Sequence, residues 1–181
     1  MLFRSLQAAT ARRTFLPAIV VSADAIGSGL NPDVCGTLKP EEAAFVALMR
    51  AAPEQRRASL TCSAALSQAA HQHAQEMVDM GRFSHLGPKG AGPNVRARNA
   101  GFPLPVWYST AFDANNVESI AAGQPTAQIV WGDFMGSPLH RDHLLGLVDM
   151  FRKQTKFGVA YLHAPNAQYV DYWVVVTAEQ N

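Results

Sequence analysis

Hydrophobic residues in the first half of the chain recur at the spacing of an α-helix. Pro40 precedes the segment "EEAAFVALMRAA", in which Phe45, Leu48 and Met49 fall on one face. Proline is tolerated in the first turn of a helix, and the two glutamates that follow it suit the positive end of the helix dipole. The pattern therefore predicts a first amphipathic helix that begins at Pro40.

A second, longer helix is predicted between Ser63, a suitable N-cap, and Gly81, a suitable helix end. One apolar stripe runs along it in steps of four and three residues: Leu66, Ala70, His73, Met77 and Met80. Because His73 lies on this stripe, we expect it to face the core as a hydrogen-bonded structural histidine. His71 lies on another face and is expected at the surface.

The pattern becomes irregular after the second helix and then helical again. Two prolines open the stretch 103–123, which is predicted to be irregular. The segment 126–135 has helical spacing. The segment "SPLHRDHLLG" then restarts a helix that Ser137 can cap and Gly146 can end.

The last part of the chain changes to the pattern of strands. Segments 157–163 and 169–177 are rich in β-branched and aromatic residues and are predicted to form a hairpin. Apolar residues occupy both faces of the second segment, with Trp173 on one face and Val174 on the other, so it should be covered on both sides. Helices followed by an antiparallel hairpin predict an α+β fold with helices packed on a small sheet.

The amino-terminal segment differs from the rest of the chain. A basic start without acidic residues is followed by a short apolar run and the sequence Ala-Asp-Ala at 23–25. This order is typical of a secretory signal, and an arginine-rich start also fits an organelle transit peptide. We expect residues 1–36 to be leader and linker and residues 37–181 to be one domain. No stretch approaches the ~20 apolar residues that a membrane-spanning helix needs.

Composition narrows the classes of function. Apolar residues make up 48% and charged residues 16% of the chain, which argues against wholesale disorder. The 15 basic and 14 acidic side chains give a formal net charge of +1, so charge offers no case for nucleic-acid binding. The two cysteines, Cys35 and Cys62, fit either one disulfide in an exported protein or two thiols in a reducing compartment.

Four residues are candidates for chemistry. His85 lies just beyond the second helix, Glu118 lies in the irregular stretch, and Ser137 and His140 lie at the start of a later helix. Each alone is most simply a solvated side chain, so their value depends on whether they converge in space. His143 follows His140 by three residues and is expected at the surface.

The segments that carry these residues resemble the CAP superfamily, which comprises the cysteine-rich secretory, antigen 5 and plant pathogenesis-related proteins, in its compact bacterial form. The similarity extends from about Cys62 to Ala178. It includes the long helix that leads to Ser84-His85, the segments "GPNVRARNAGF", "VESIAAG" and "FMGSPLHR", and the closing strands "FGVAYL" and "YWVVVTA".

The resemblance implies an α-β-α sandwich with a cleft that holds two histidines and one or two acids. Carried over to this sequence, the histidines are His85 and His140 and the acid is Glu118. Many eukaryotic members have a second glutamate at the position of Ser137, so a four-member site is incomplete here. Ser119, in place of the usual asparagine, is interpreted as a packing change.

Two classes of function remain open at this point. The first is a secreted binding module whose cleft takes a lipid-like or sterol-like ligand, a divalent metal or a partner protein. Two imidazoles and a carboxylate, His85, His140 and Glu118, can bind Zn²⁺ and leave a position open. The second is a hydrolase that uses this metal, or Ser137 as a nucleophile, in the same cleft. The sequence favours binding, because no complete catalytic set can be assembled from it.

Overall fold

A four-stranded sheet lies between two layers of helices in the computed structural model, which describes residues 35–181. The predicted α-β-α sandwich is thus confirmed. Most of the predicted leader and linker, 1–36, lies outside the described residues. The helices are α1 (Pro40–Ala51), α2 (Ala64–Asp79), α3 (Pro93–Asn99), α4 (Ala127–Gly136), α5 (Pro138–Leu145) and α6 (Asp149–Arg152), and the strands are β1 (Thr61–Cys62), β2 (Glu118–Ala122), β3 (Lys156–His163) and β4 (Asp171–Ala178).

The strands are ordered β1-β3-β4-β2. The predicted hairpin is β3 and β4, which pair in antiparallel register with Val159 opposite Val175. Strand β2 pairs antiparallel with the other edge of β4, with Glu118 opposite Val176. The two-residue strand β1 adds a short parallel pair beside β3, so the sheet is mixed, not purely antiparallel.

Each face of the sheet carries its own apolar core. On one face, Val174 and Val176 pack with the buried stripe of α2. On the other face, Trp173 and Val175 pack with residues of α1 and α4. Because successive side chains of a strand point to opposite faces, the apolar run of β4 supplies both cores at once.

Helix α2 lies very close to the sheet at Gly158. A Cβ atom built on this glycine would lie 2.2 Å from the backbone carbonyl carbon of Leu66 and 2.2 Å from the amide nitrogen of Ser67. Only a residue without a side chain allows this approach. The position of α2 on the sheet, and of the loop that follows α2, therefore depends on Gly158.

A disulfide joins Cys35 to Cys62. It ties the chain just before α1 to β1, as expected for the disulfide alternative. Within residues 35–181, no helix is long and apolar enough to span a lipid bilayer.

Helix α1 is joined to α2 and β3 by a buried carboxylate. Oε1 of Glu42 accepts hydrogen bonds from Nε2 of His71, at 2.8 Å, and from the backbone N–H of Tyr161, at 2.9 Å. Burial alone would raise the pKa of Glu42, but the hydrogen bonds from His71, Tyr161 and Lys39 outweigh burial and lower it. The hydrogen bond to Glu42 raises the pKa of His71.

This pair should make stability depend on pH. The raised pKa of His71 means that its contribution is complete below the ordinary value of 6.5 and is lost as pH rises through the folded-state pKa. The lowered pKa of Glu42 means that its contribution is complete above 4.5 and is lost as pH falls through the folded-state pKa. We therefore expect His71→Gln to lower the melting midpoint most between these two pH values and progressively less above them. A difference from wild type that stays constant between about pH 4 and about pH 9 would contradict this role.

Candidate functional site

A cleft of about 230 Å³ opens where strand β2 begins. Three parts of the chain meet there: the loop after α2 with His85, the first residue of β2, Glu118, and helix α5 with His140. Glu118 was expected in an irregular stretch but begins a strand, so the sheet fixes its position. The wall consists of His85, Asn115, Asn116, Val117, Glu118, Ser119, Leu139, His140, His143 and Phe151.

Glu118 is a buried carboxylate held by a cation and an imidazole. Nη2 of Arg96 donates to both of its oxygens, at 2.9 and 2.8 Å, and Nδ1 of His85 donates to Oε1 at 2.9 Å. Burial alone would raise the pKa of Glu118, but the hydrogen bond from His85 and the charge of Arg96 outweigh burial and lower it. Glu118 is therefore ionised at neutral pH and fixes the orientation of the His85 ring.

Arg96 also holds the loop that carries His85. The same Nη2 donates to the backbone carbonyl of His85 at 2.8 Å, and Nη1 donates to that of Ala91 at 2.9 Å. Behind the loop, the fully buried His73 donates from Nε2 to the carbonyl of Ser84 at 2.8 Å. His73 is thus the structural histidine that the helical stripe predicts, and its partner is the residue before His85.

His140 is half-buried on α5, with its ring 5.1 Å from that of Phe134 in an edge-on arrangement. Burial, and to a lesser degree the proximity of His85, lower the pKa of His140. It is therefore neutral at pH 7. A neutral imidazole has one nitrogen with a free lone pair, which is the form that binds metals and accepts hydrogen bonds.

His143 forms the inner wall of the cleft as part of a directed chain of hydrogen bonds. Nε2 of Gln154 donates to the carbonyl of Asn116 at 2.7 Å, so its Oε1 accepts the hydroxyl of Thr177 at 2.6 Å. The Thr177 oxygen then accepts from Nε2 of His143 at 2.7 Å. Nδ1 of His143 remains as an acceptor, and Ser119 donates its hydroxyl to it at 2.7 Å.

The surroundings keep His143 uncharged. Burial, followed by the positive charge of Arg57, lowers the pKa of His143 to about 3. The Arg57 guanidinium lies behind the chain, where it donates to the backbone carbonyls of His143 and Leu144 and to Thr177. The inner wall of the cleft is therefore an acceptor imidazole with a fixed tautomer and no charge.

Sequence comparison connects this architecture to a protein family. The profile of the CAP family, described as the cysteine-rich secretory protein family, matches residues 44–177, which is well over half of the chain. The chain belongs to the CAP family. The match includes all of the residues that build the cleft.

Two solved structures share the fold of this CAP domain. An outer surface protein from Borrelia burgdorferi superimposes with a TM-score of 0.58 at 18% identity, over 77% of this chain and 91% of that one. An extracellular protein containing a SCP domain from Bacillus anthracis str. Ames gives a TM-score of 0.52 at 18% identity, over 80% of this chain and 45% of that one. A search of curated protein sequences finds no match.

The structure brings three of the four predicted site residues of the CAP domain together. His85, Glu118 and His140 line one cleft, whereas Ser137 is not part of its wall. Ser137 precedes α5 at the cap position, but its side chain makes no capping hydrogen bond. Among residues 35–181, no three His, Cys, Asp or Glu side chains are arranged as a metal site. Glu118 cannot serve as a free third ligand, because Arg96 and His85 already engage both of its oxygens.

Two residues of the cleft wall differ from what the sequence predicts. His143 was expected at the surface but is buried, and Ser119 is its hydrogen-bond partner and not a simple packing change. The spacing of three residues from His140 was the available signal for His143. It was ambiguous because α5 is short and buries three consecutive residues, from His143 to Leu145.

A larger, apolar groove lies on the other helical layer, between α1 and α4. Its volume is about 620 Å³. Its lining is mostly aliphatic or aromatic, with Glu54 and Gln128 as the polar members. The full lining is Ala44, Ala47, Leu48, Ala51, Ala52, Pro53, Glu54, Gln128, Trp131, Met135 and Leu145.

Proposed function

We propose that this CAP domain is a secreted binding module whose ligand is a small apolar, lipid-like molecule held in the groove between α1 and α4. The observation that carries the proposal is the apolar lining of that groove. Four alanines in the lining have small side chains that leave the groove open, while Trp131 and Met135 of α4 contribute large apolar surfaces. Such a surface gains free energy when it is covered by an apolar ligand.

Volume favours the groove over the His/Glu cleft as the site for a lipid or sterol. Pockets for drug-sized ligands usually measure about 300–1,000 Å³. The groove, at about 620 Å³, lies within this range, whereas the cleft, at about 230 Å³, lies below it. The ligand that the sequence led us to expect in the cleft is therefore assigned to the groove.

The binding test uses cis-parinaric acid, a fluorescent fatty acid, and a variant that fills the groove. Ala47→Trp adds a large side chain at an exposed position that lines it. Ala43→Trp adds the same side chain to an exposed position of α1 outside it. We expect Ala47→Trp to weaken binding by about tenfold or more. The tryptophan side chain would occupy part of the groove, and the apolar contact that the ligand then loses corresponds to about 1.4 kcal/mol or more of binding free energy. Failure of the wild type to bind the probe, or equal loss in both variants, would contradict the proposal.

Secretion is the second part of the proposal. It is supported by the leader-like pattern at the amino terminus, by the disulfide between Cys35 and Cys62, and by the outer-surface and extracellular proteins that share the fold. Intact mass measurement of protein exported by a secreting host tests it. We expect cleavage after Ala25 and a mass that is two hydrogen atoms lighter than that of the dithiol form.

A divalent metal is a second candidate ligand, for the cleft and not for the groove. Nδ1 of His85 donates to Glu118, so Nε2 is the ring nitrogen available to a metal, and Glu118 orients the ring as carboxylates often do beside metal-bound histidines. A Zn²⁺ ion would be held by His85 and His140, with water completing its coordination. When bound, it would supply a Lewis acid and a more acidic water.

Calorimetric titration with Zn²⁺ alone tests the metal site. We expect His85→Ala and His140→Ala each to abolish measurable binding, and His163→Ala, at an exposed histidine outside the cleft, to leave it unchanged. Affinity should fall at acidic pH, because protons compete with the metal for the imidazole nitrogens. If both cleft variants bind as tightly as the wild type, the metal assignment is wrong.

The geometry favours binding over hydrolysis. The serine that contacts an imidazole in this cleft is Ser119, and its partner is His143. A general base works best when its pKa lies near the operating pH, and the pKa of His143 is lowered to about 3. His143 is therefore a poor base for activating Ser119.

A further inference from the structure

The stretch between α3 and β2 contains a tight turn with an unusual tip. The backbone N–H of Tyr108 donates to the carbonyl of Pro105 at 3.1 Å, which makes Val106 and Trp107 the central residues of the turn. Their side chains are 91% and 50% exposed. The central positions of turns favour small polar residues, glycine or proline, so two large exposed apolar side chains are unusual there and suggest a contact with another molecule.

The tip is held out rigidly by the residues around it. Phe102, Leu104 and Tyr108 are buried in the core on the α2 side of the sheet. Pro103 and Pro105 fix two backbone φ angles in the same stretch. Because the neighbours are anchored, little conformational entropy is lost if the tip enters another apolar phase.

The turn itself has no charged side chain, but charged side chains lie beside it. Residues 102–112 include no charged side chain. Two cations adjoin the turn: Arg98 donates to the carbonyl of Tyr108 at 3.3 Å, and Nζ of Lys153 lies 6.0 Å from the centre of the Trp107 ring. Of the acidic residues in this part of the chain, Glu179 has its Oε2 buried, and the exposed Asp113 directly follows the uncharged run.

We propose that the Val106–Trp107 turn inserts into the interfacial region of a lipid bilayer. An apolar tip with a tryptophan suits this region, where the indole ring sits at the level of the headgroups. The cations Arg98 and Lys153 are placed to meet lipid phosphates as the tip enters. A bilayer suits a protruding wedge better than a protein partner does, since a partner would have to offer a matching pocket. Phe112, further along the same stretch of sequence, is also exposed.

This inference does not depend on the ligand groove, which lies on the opposite helical layer. The experiment uses the full chain with vesicles of phosphatidylcholine that carries bromine on its acyl chains, which quenches tryptophan on contact. Trp107 is the most exposed of the three tryptophans, because Trp131 is half-buried and Trp173 is fully buried. We expect brominated vesicles to quench the wild type much more strongly than Trp107→Phe, in which any remaining quenching comes from lipid bound beside Trp131 in the groove.

A pair of matched variants separates insertion from general changes in the surface. Val106→Asp places a charge at the tip, and Ile129→Asp places the same charge on α4, where Ile129 is 51% exposed. We expect Val106→Asp to reduce partitioning of the turn, measured by quenching, about tenfold or more, and Ile129→Asp to have no effect. Equal quenching of the wild type and Trp107→Phe would overturn the proposal. The proposal would also be overturned if the protein bound only to vesicles that contain anionic lipid and Val106→Asp bound to them as well as the wild type. That result would indicate adsorption to the membrane surface, or a role for the tip with a protein partner.

Discussion

Arg96→Met should lower the free energy of unfolding by about 3–5 kcal/mol, because it removes one partner of a buried ion pair. Arg96 is 3% exposed, and it meets both oxygens of Glu118, which is 7% exposed. Methionine fills much of the volume of the arginine side chain but leaves the carboxylate without its cation. Chemical denaturation at neutral pH measures the loss.

The pH dependence of the same variant identifies the cause. Without Arg96, burial is opposed mainly by the hydrogen bond from His85, so the pKa of Glu118 should be higher than in the wild type and the carboxylate should take up a proton at a higher pH. The difference between wild type and Arg96→Met should therefore shrink at acidic pH, where Glu118 of the variant is protonated before Glu118 of the wild type. In wild type the lowered pKa of Glu118 means that its contribution is lost only as pH falls through a value below 4.5.

Two further variants make this prediction falsifiable. Arg98→Met removes a less buried arginine from the same helix, α3, and should cost less than about 1 kcal/mol. Glu118→Gln in the Arg96→Met background removes the stranded charge and should recover part of the loss. If Arg96→Met and Arg98→Met cost the same, the pair between Arg96 and Glu118 does not hold the site together.

The elements that the sequence predicts well are those whose signal is local. The apolar stripe of α2 follows helical spacing along a helix of sixteen residues. The continuous apolar run of β4 predicts that both of its faces are buried. The segments shared with the CAP family also place His85, Glu118 and His140 in one cleft. For α2 and β4, neighbouring residues carry the information, whereas the convergence of His85, Glu118 and His140 was implied only by the resemblance to the CAP family.

The parts that escaped prediction depend on residues distant in sequence. Strand β2 follows an irregular stretch, and its pairing partner β4 lies about fifty residues further along the chain. Arg96 is 22 residues from Glu118, and nothing around it indicates a buried cation. The apolar groove is lined by residues of α1, α4 and the end of α5, which are distant from one another in sequence, so no pattern within one helix predicts it.

Trp173→Ala should cost about 3–5 kcal/mol of unfolding free energy, because it empties the centre of one of the two cores. The ring is fully buried, and its centre lies 4.6 Å from the tilted ring of Tyr161 and 5.7 Å from that of Phe45. Its Nε1 donates to the carbonyl of Gln124 at 2.7 Å. Alanine leaves a cavity and also strands that carbonyl. The matched control is Trp107→Ala, which removes an exposed indole and should change stability by less than about 1 kcal/mol. Equal losses in the two variants would mean that the burial of Trp173 in β4 contributes nothing particular to the stability of the sandwich.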